Sequence, residues 1–109
     1  MNLEEQKQAF DDFTSIMRST LLKKGNDYSG EDRLSNFKLA GNITGIGAEM
    51  NCLNLIATKV ARLGILLRSK NMPDNESTSD SLLDLANYSI LLWMLINEKP
   101  QQLKLKLDE

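Results

Sequence analysis

The sequence predicts an all-α fold. Apolar residues recur at intervals of three and four through three long stretches, four of the six glycines and Pro73 fall between those stretches, and no pair of segments shows the period-two alternation of paired strands. At 109 residues the chain makes one domain, expected over residues 1–99 with a tail over 100–109. A domain this small leaves much apolar surface uncovered, so a helical bundle completed by homo-oligomerisation is expected.

The first helix is expected over about residues 3–23, where Leu3, Phe10, Phe13, Met17 and Leu21 share one face and Gly25 follows as a C-cap. Between Gly25 and Gly47 the glycines and Asn26, Asp27, Asn36 and Asn42 predict a loop with short helical turns near residues 34–40. A connection of this length in a small domain is more often functional than passive. The second long helix is expected over about 46–70, with Met50, Leu53, Ile56, Val60, Leu63 and Leu67 on one apolar stripe. Asn71-Met-Pro-Asp-Asn-Glu76 breaks the chain, Ser77 with Asp80 predicts a capping box, and the third long helix runs over about 78–98 until Pro100. The tail carries Leu103-Lys-Leu-Lys-Leu107, whose alternation suits an added strand or an ordered tail at an interface.

Charge and composition narrow the partners. Charged residues make 26 % of the chain, the net charge is −2 and both signs are interspersed, which argues against a general grip on duplex nucleic acid or an anionic membrane. The absence of histidine removes His-dependent triads and most zinc sites, and leaves carboxylate and Mg²⁺ chemistry open. The single Cys52 cannot pair within the chain and sits among apolar positions as a core residue, and no leader pattern opens the sequence, so a reducing cytoplasm is expected.

Asp84 and Asn87 interrupt the otherwise apolar stretch over residues 81–96, and with Glu76 and Asp80 they form one polar line at spacings of four, four and three. A carboxylate among apolar neighbours must be paired, hydrogen-bonded or bound to a metal. Glu76, Asp80 and Asp84 could share Mg²⁺; alternatively, the first two are solvated first-turn acids and Asp84 with Asn87 meets a neighbouring helix. Lys59 and Arg62 stand one turn apart beside the apolar stripe, suited to ion pairs with Asp80 and Asp84 or to a ligand phosphate. Asn51, Asn54 and Thr58 extend that face with neutral groups able to read a base or ribose, or serve as ordinary surface polars. The loop supplies Lys24, Asp27, Tyr28, Arg33, Asn36 and Phe37, in which two cations and two aromatics suit a nucleotide, although Phe37 could equally anchor the loop in the core. Trp93 lies on a helix apolar nearly all round, which predicts burial centrally or across a subunit interface.

The ordered set Lys24-Gly-Asn-Asp-Tyr28, Asn36-Phe37, Lys59-Val-Ala-Arg-Leu63 and Glu76-Ser-Thr-Ser-Asp-Ser-Leu-Leu-Asp-Leu-Ala-Asn-Tyr88 resembles the nucleotide-modification-associated domain family, small all-helical proteins found mainly in phages and bacteria. The resemblance covers about residues 24–88 and implies a role with nucleotides or modified DNA precursors. A more distant similarity is to the all-α nucleotide pyrophosphohydrolases, which hold Mg²⁺ with Glu-Glu-x-x-Glu on one helix and Glu-x-x-Asp on the next. Asp84-Leu-Ala-Asn87 matches the second motif with Asn in place of the last acid. The first motif is missing, and Lys59 and Arg62 stand where acids would gather the metal.

The expected function is therefore binding of a nucleotide or nucleotide-derived small molecule. Lys59 and Arg62 would hold phosphate, Tyr28 or Phe37 would stack the base, and Asp84 with Asn87 would orient the cations or the ligand's hydroxyls. In a phage setting such binding would sequester a host signalling nucleotide against defence. One alternative is an Mg²⁺-dependent nucleotide pyrophosphohydrolase in which Asp84 is catalytic. The other is a non-catalytic helical interaction module whose polar line fixes helix register.

Overall fold

The computed structural model describes residues 1–23, 32–69 and 75–98, the side chains of Asn75 and Glu76 excepted. Four helices follow in order, α1 (Leu3–Leu21), α2 (Ser35–Thr44), α3 (Ala48–Arg68) and α4 (Asn75–Asn97), and no strand occurs among the described residues. The all-helical class agrees with the sequence.

Helix α1 is opened by a capping box. The side chain of Asn2 accepts from the Glu5 backbone N–H at 2.8 Å, and the Glu5 carboxylate accepts from the Asn2 N–H at 3.2 Å. Such an arrangement satisfies two otherwise orphaned donors and stabilises a helix by about 1 kcal/mol. No residue of α1 is buried, and Phe10 remains 66 % exposed. The helix ends on Leu22, whose N–H donates to Arg18 O, rather than on the expected glycine; Gly25 lies outside the described residues.

The region expected to be a loop with short turns contains a ten-residue helix, α2, and this corrects the count of three long helices. Gly41 and Asn42 read as breakers because both disfavour helix intrinsically. Tertiary packing overrides that preference. A Cβ at Gly41 would lie 2.4 Å from Ala48 N and from Gly47 C, so only glycine lets α2 cross the start of α3 this closely. The chain then turns through Gly45, at φ +79°, whose N–H donates to Gly41 O, and Gly47 at φ +88°. Both are left-handed positions that cost a side chain strain.

Helices α3 and α4 pack antiparallel over their length, α2 rests on α3, and α1 touches α4. Their bounds shift from expectation at both ends, and α4 opens at Asn75, so Ser77 lies inside the first turn and does not cap it. Leu34, Cys52 and Leu95 form the buried cluster, with Phe37, Tyr88, Leu91 and Met94 packed against it. Cys52 is wholly buried as expected, its thiol donates to Tyr88 O at 3.4 Å, and burial pushes its pKa above the ordinary value. Full burial of a leucine such as Leu95 contributes roughly 2 kcal/mol.

The apolar stripe expected on α3 divides. Leu63 is buried, whereas Met50, Leu53, Val60 and Leu67 are exposed. Trp93 and Ile96 on α4 are exposed as well. By length and composition alone α3, which contains an 18-residue window with a mean hydropathy of 1.3, would suffice to cross a bilayer, although Lys59 and Arg62 lie within it. The tail over 100–109 and the start of the polar loop lie outside the described residues.

Candidate functional site

Three contacts set the register of α3 against α4. Cys52 meets the backbone of Tyr88, Lys59 Nζ lies 2.9 Å from Asp84 Oδ2, and Arg62 Nε donates to Ser81 Oγ at 3.2 Å. Residue numbers rise on α3 as they fall on α4, which is the antiparallel order. Ser81 and Asp84, three apart on α4, meet the two cations of α3, and Asn87 follows one turn further along α4.

The ion pair between Lys59 and Asp84 is half open, with side-chain exposures of 26 % and 42 %. Solvent screening keeps the net worth of such a pair to about 0.2–1 kcal/mol. It therefore serves more as a fixed arrangement of charge than as a source of stability. Arg62 is exposed and its hydrogen bond uses Nε, which leaves the terminal guanidinium nitrogens for a further acceptor. Ser81, only 2 % exposed, is the anchor that holds this arginine.

Asn87 is 7 % exposed, and its Oδ1 is buried with no hydrogen-bond partner among the described residues. Thr78 Oγ1, further towards the start of α4, is in the same condition. A buried acceptor left unmade costs about 1–3 kcal/mol. The α3–α4 contact thus sets two cations one turn apart beside a carboxylate, with a desolvated acceptor one turn further along α4.

The other expected residues fall in different places. Arg33 turns back to α1, where its guanidinium donates to Leu21 O at 3.2 Å and to Lys23 O at 3.4 Å. A cation is favoured at that end of a helix by the dipole and the free carbonyls. Phe37 packs on the core cluster, Asn36 is exposed, and Asn54 is exposed with its backbone carbonyl accepting from Thr58 Oγ1 at 2.9 Å. Lys24, Asp27 and Tyr28 lie outside the described residues. Asp80 is exposed, the Glu76 side chain lies outside the described set, and the Asp84 carboxylate is engaged by Lys59. Among the described residues no three Cys, Asp or Glu side chains converge as metal ligands would.

Two features carried little sequence signal. Ser81 is an ordinary serine until its place one turn before Asp84 is noticed. Lys38 Nζ bridges Asp32 Oδ2 and Glu98 Oε1, each at 2.6 Å, and ties the start of α2 to the end of α4. The hydrogen bond from Lys38, aided by the Leu34 N–H, holds the Asp32 carboxyl below its usual range, and the same bond raises the Lys38 ammonium. Sixty residues separate Lys38 from Glu98, so spacing gives no hint of the contact.

Comparison with protein-family models, with curated proteins and with solved structures finds no match for this chain.

Proposed function

We propose that the groove between α3 and α4 binds a nucleotide or nucleotide-derived small molecule, with Lys59 and Arg62 on its phosphate and Asn87 on a donor of its base or sugar. The observation that carries this reading is the buried, partnerless Asn87 Oδ1 beside an ion pair that solvent can reach. A phosphate entering the groove would draw Lys59 from Asp84 without burying an unpaired charge, because Asp84 is itself 42 % exposed. Asp84 would then orient the ammonium or accept from a ligand hydroxyl. The resemblance of the Lys59–Leu63 and Glu76–Tyr88 motifs to the nucleotide-modification-associated family supports the same ligand class, and retention of a signalling nucleotide is the role proposed for it.

Calorimetric titration with cyclic and ADP-ribose-type nucleotides, and mass spectrometry of any small molecule released on denaturing the native protein, test the reading. Binding that weakens at least about tenfold in Lys59→Met, the loss expected for one charge-assisted contact, would support it. No heat with the panel and no released nucleotide would refute it.

A second reading is favoured by the fact that Lys59 and Arg62 both find partners inside the chain. Under it the polar line only fixes helix register in an interaction module. Lys59→Met combined with Asp84→Leu would then preserve fold and any activity alike.

A further inference from the structure

Helix α3 carries a second apolar seam, separate from the one that meets α4. Met50, Leu53, Ala57, Val60, Gly64 and Leu67 follow at spacings of three, four, three, four and three, the heptad pattern of a helix that packs along another helix. Helix geometry places this row roughly a third of a turn around α3 from Cys52, Lys59 and Leu63, which face α4. Among the described residues it lies open, with Val60 53 % exposed and Leu67 69 %.

Turned end for end about Ala57, the row sets complementary sizes against each other. Taken outward from Ala57, Val60 stands opposite Leu53 and Gly64 opposite Met50, while Leu67 pairs with Ile46 in the bend before α3. A long side chain faces the smallest one, and a medium one faces a medium one. Gly64 has no use inside the chain, since a Cβ there would meet only the Arg68 guanidinium at 3.5 Å, an ordinary contact. Gly41, by contrast, is required by backbone atoms at 2.4 Å. Charge follows the same order, with Glu49 near the start of α3 and Arg68 at its end, and neither forms an ion pair among the described residues.

We propose that α3 packs on α3 of a second copy of this chain, antiparallel about a two-fold axis at Ala57. Self-complementarity of one patch is what a two-fold interface requires. Met50 of each copy fills the space above Gly64 of the other, Ala57 meets itself at the axis, and Glu49 comes within about a turn of the other copy's Arg68. A parallel arrangement would set like charges together and long residues against long ones. The α4-facing groove stays open on both copies, so this pairing stands or falls independently of ligand binding.

Sedimentation equilibrium and an engineered crosslink test the proposal. The full chain should sediment at twice its 12.3 kDa mass, with monomer appearing on dilution. Leu53→Glu should raise the dimer dissociation constant at least about a hundredfold, by placing a charge in an apolar seam, while the circular dichroism of the helices is unchanged. Ala57→Cys should form a disulfide-linked dimer under mild oxidation, Cys52 being buried and unable to compete. A chain that stays monomeric at high concentration overturns the proposal, as does a dimer that persists in Leu53→Glu or fails to crosslink through Ala57→Cys. A monomer that floats with phosphatidylcholine vesicles overturns it in favour of a bilayer surface on α3.

Discussion

Lys59 and Asp84 join α3 to α4 through a contact of 2.9 Å that solvent still reaches from one side. The pair should matter more to recognition than to stability. Asp84→Asn is expected to lower stability by about 0.2–1 kcal/mol, a shift of no more than roughly 8 °C in the thermal midpoint. A double-mutant cycle with Lys59→Met, read by thermal denaturation, should return a coupling energy in that range. A coupling of several kcal/mol would mean that the pair is a buried structural strut instead.

Asn87 gives the opposite sign. Replacing it with leucine removes an acceptor that has no partner and supplies apolar volume of similar size, so the free protein should gain about 1 kcal/mol. The urea midpoint should rise with an unchanged slope. In the same variant nucleotide binding should weaken, and a parallel gain in stability and affinity would argue against a ligand role for this amide.

The two helical glycines should respond in contrary directions to alanine. Gly41→Ala forces a Cβ to within 2.4 Å of backbone atoms of Gly47 and Ala48, so a loss of about 1–3 kcal/mol is expected from overpacking. Gly64→Ala, whose Cβ would make only an ordinary contact with the Arg68 guanidinium, should strengthen α3 by about 0.5–1 kcal/mol. Chemical denaturation at concentrations where the chain is monomeric separates these effects from any on self-association.

The contact of Lys38 with Asp32 and Glu98 predicts a pH dependence with two limbs. The folded pKa of Asp32 lies below the ordinary 3.8, so its contribution is present above that value and is lost as pH falls through the lower, folded one. The folded pKa of Lys38 lies above 10.5, so its contribution is complete below 10.5 and is lost as pH rises through the higher, folded one. Because all three side chains are about two-fifths exposed, each limb should stay below about 1 kcal/mol. Urea midpoints measured across pH should show both limbs in the native chain, and Lys38→Met should flatten them.

The three periodic helices and the need of Asp84 for a partner were both legible in the sequence, and Lys59 was one of the two cations, with Arg62, placed to meet it. Helix α2 was not, because the glycine that packs a helix against backbone looks the same in one dimension as the glycine that ends one. Arg33 read as a phosphate cation, yet its role depends on the end of α1 lying within reach, which no local pattern encodes. Arg62 was expected to meet Asp80, Asp84 or a ligand phosphate, and its Nε donates to Ser81, a choice among neighbours on one helix face that periodicity does not resolve. Which apolar faces are covered was equally out of reach: periodicity marks a face, and only the packing tells whether anything rests on it.

Arg33 grips the chain at Leu21 and Lys23, and so fastens the two ends of the connecting segment over residues 24–31 to a single guanidinium. One guanidinium thus acts as a clasp that holds the end of α1 beside the start of α2.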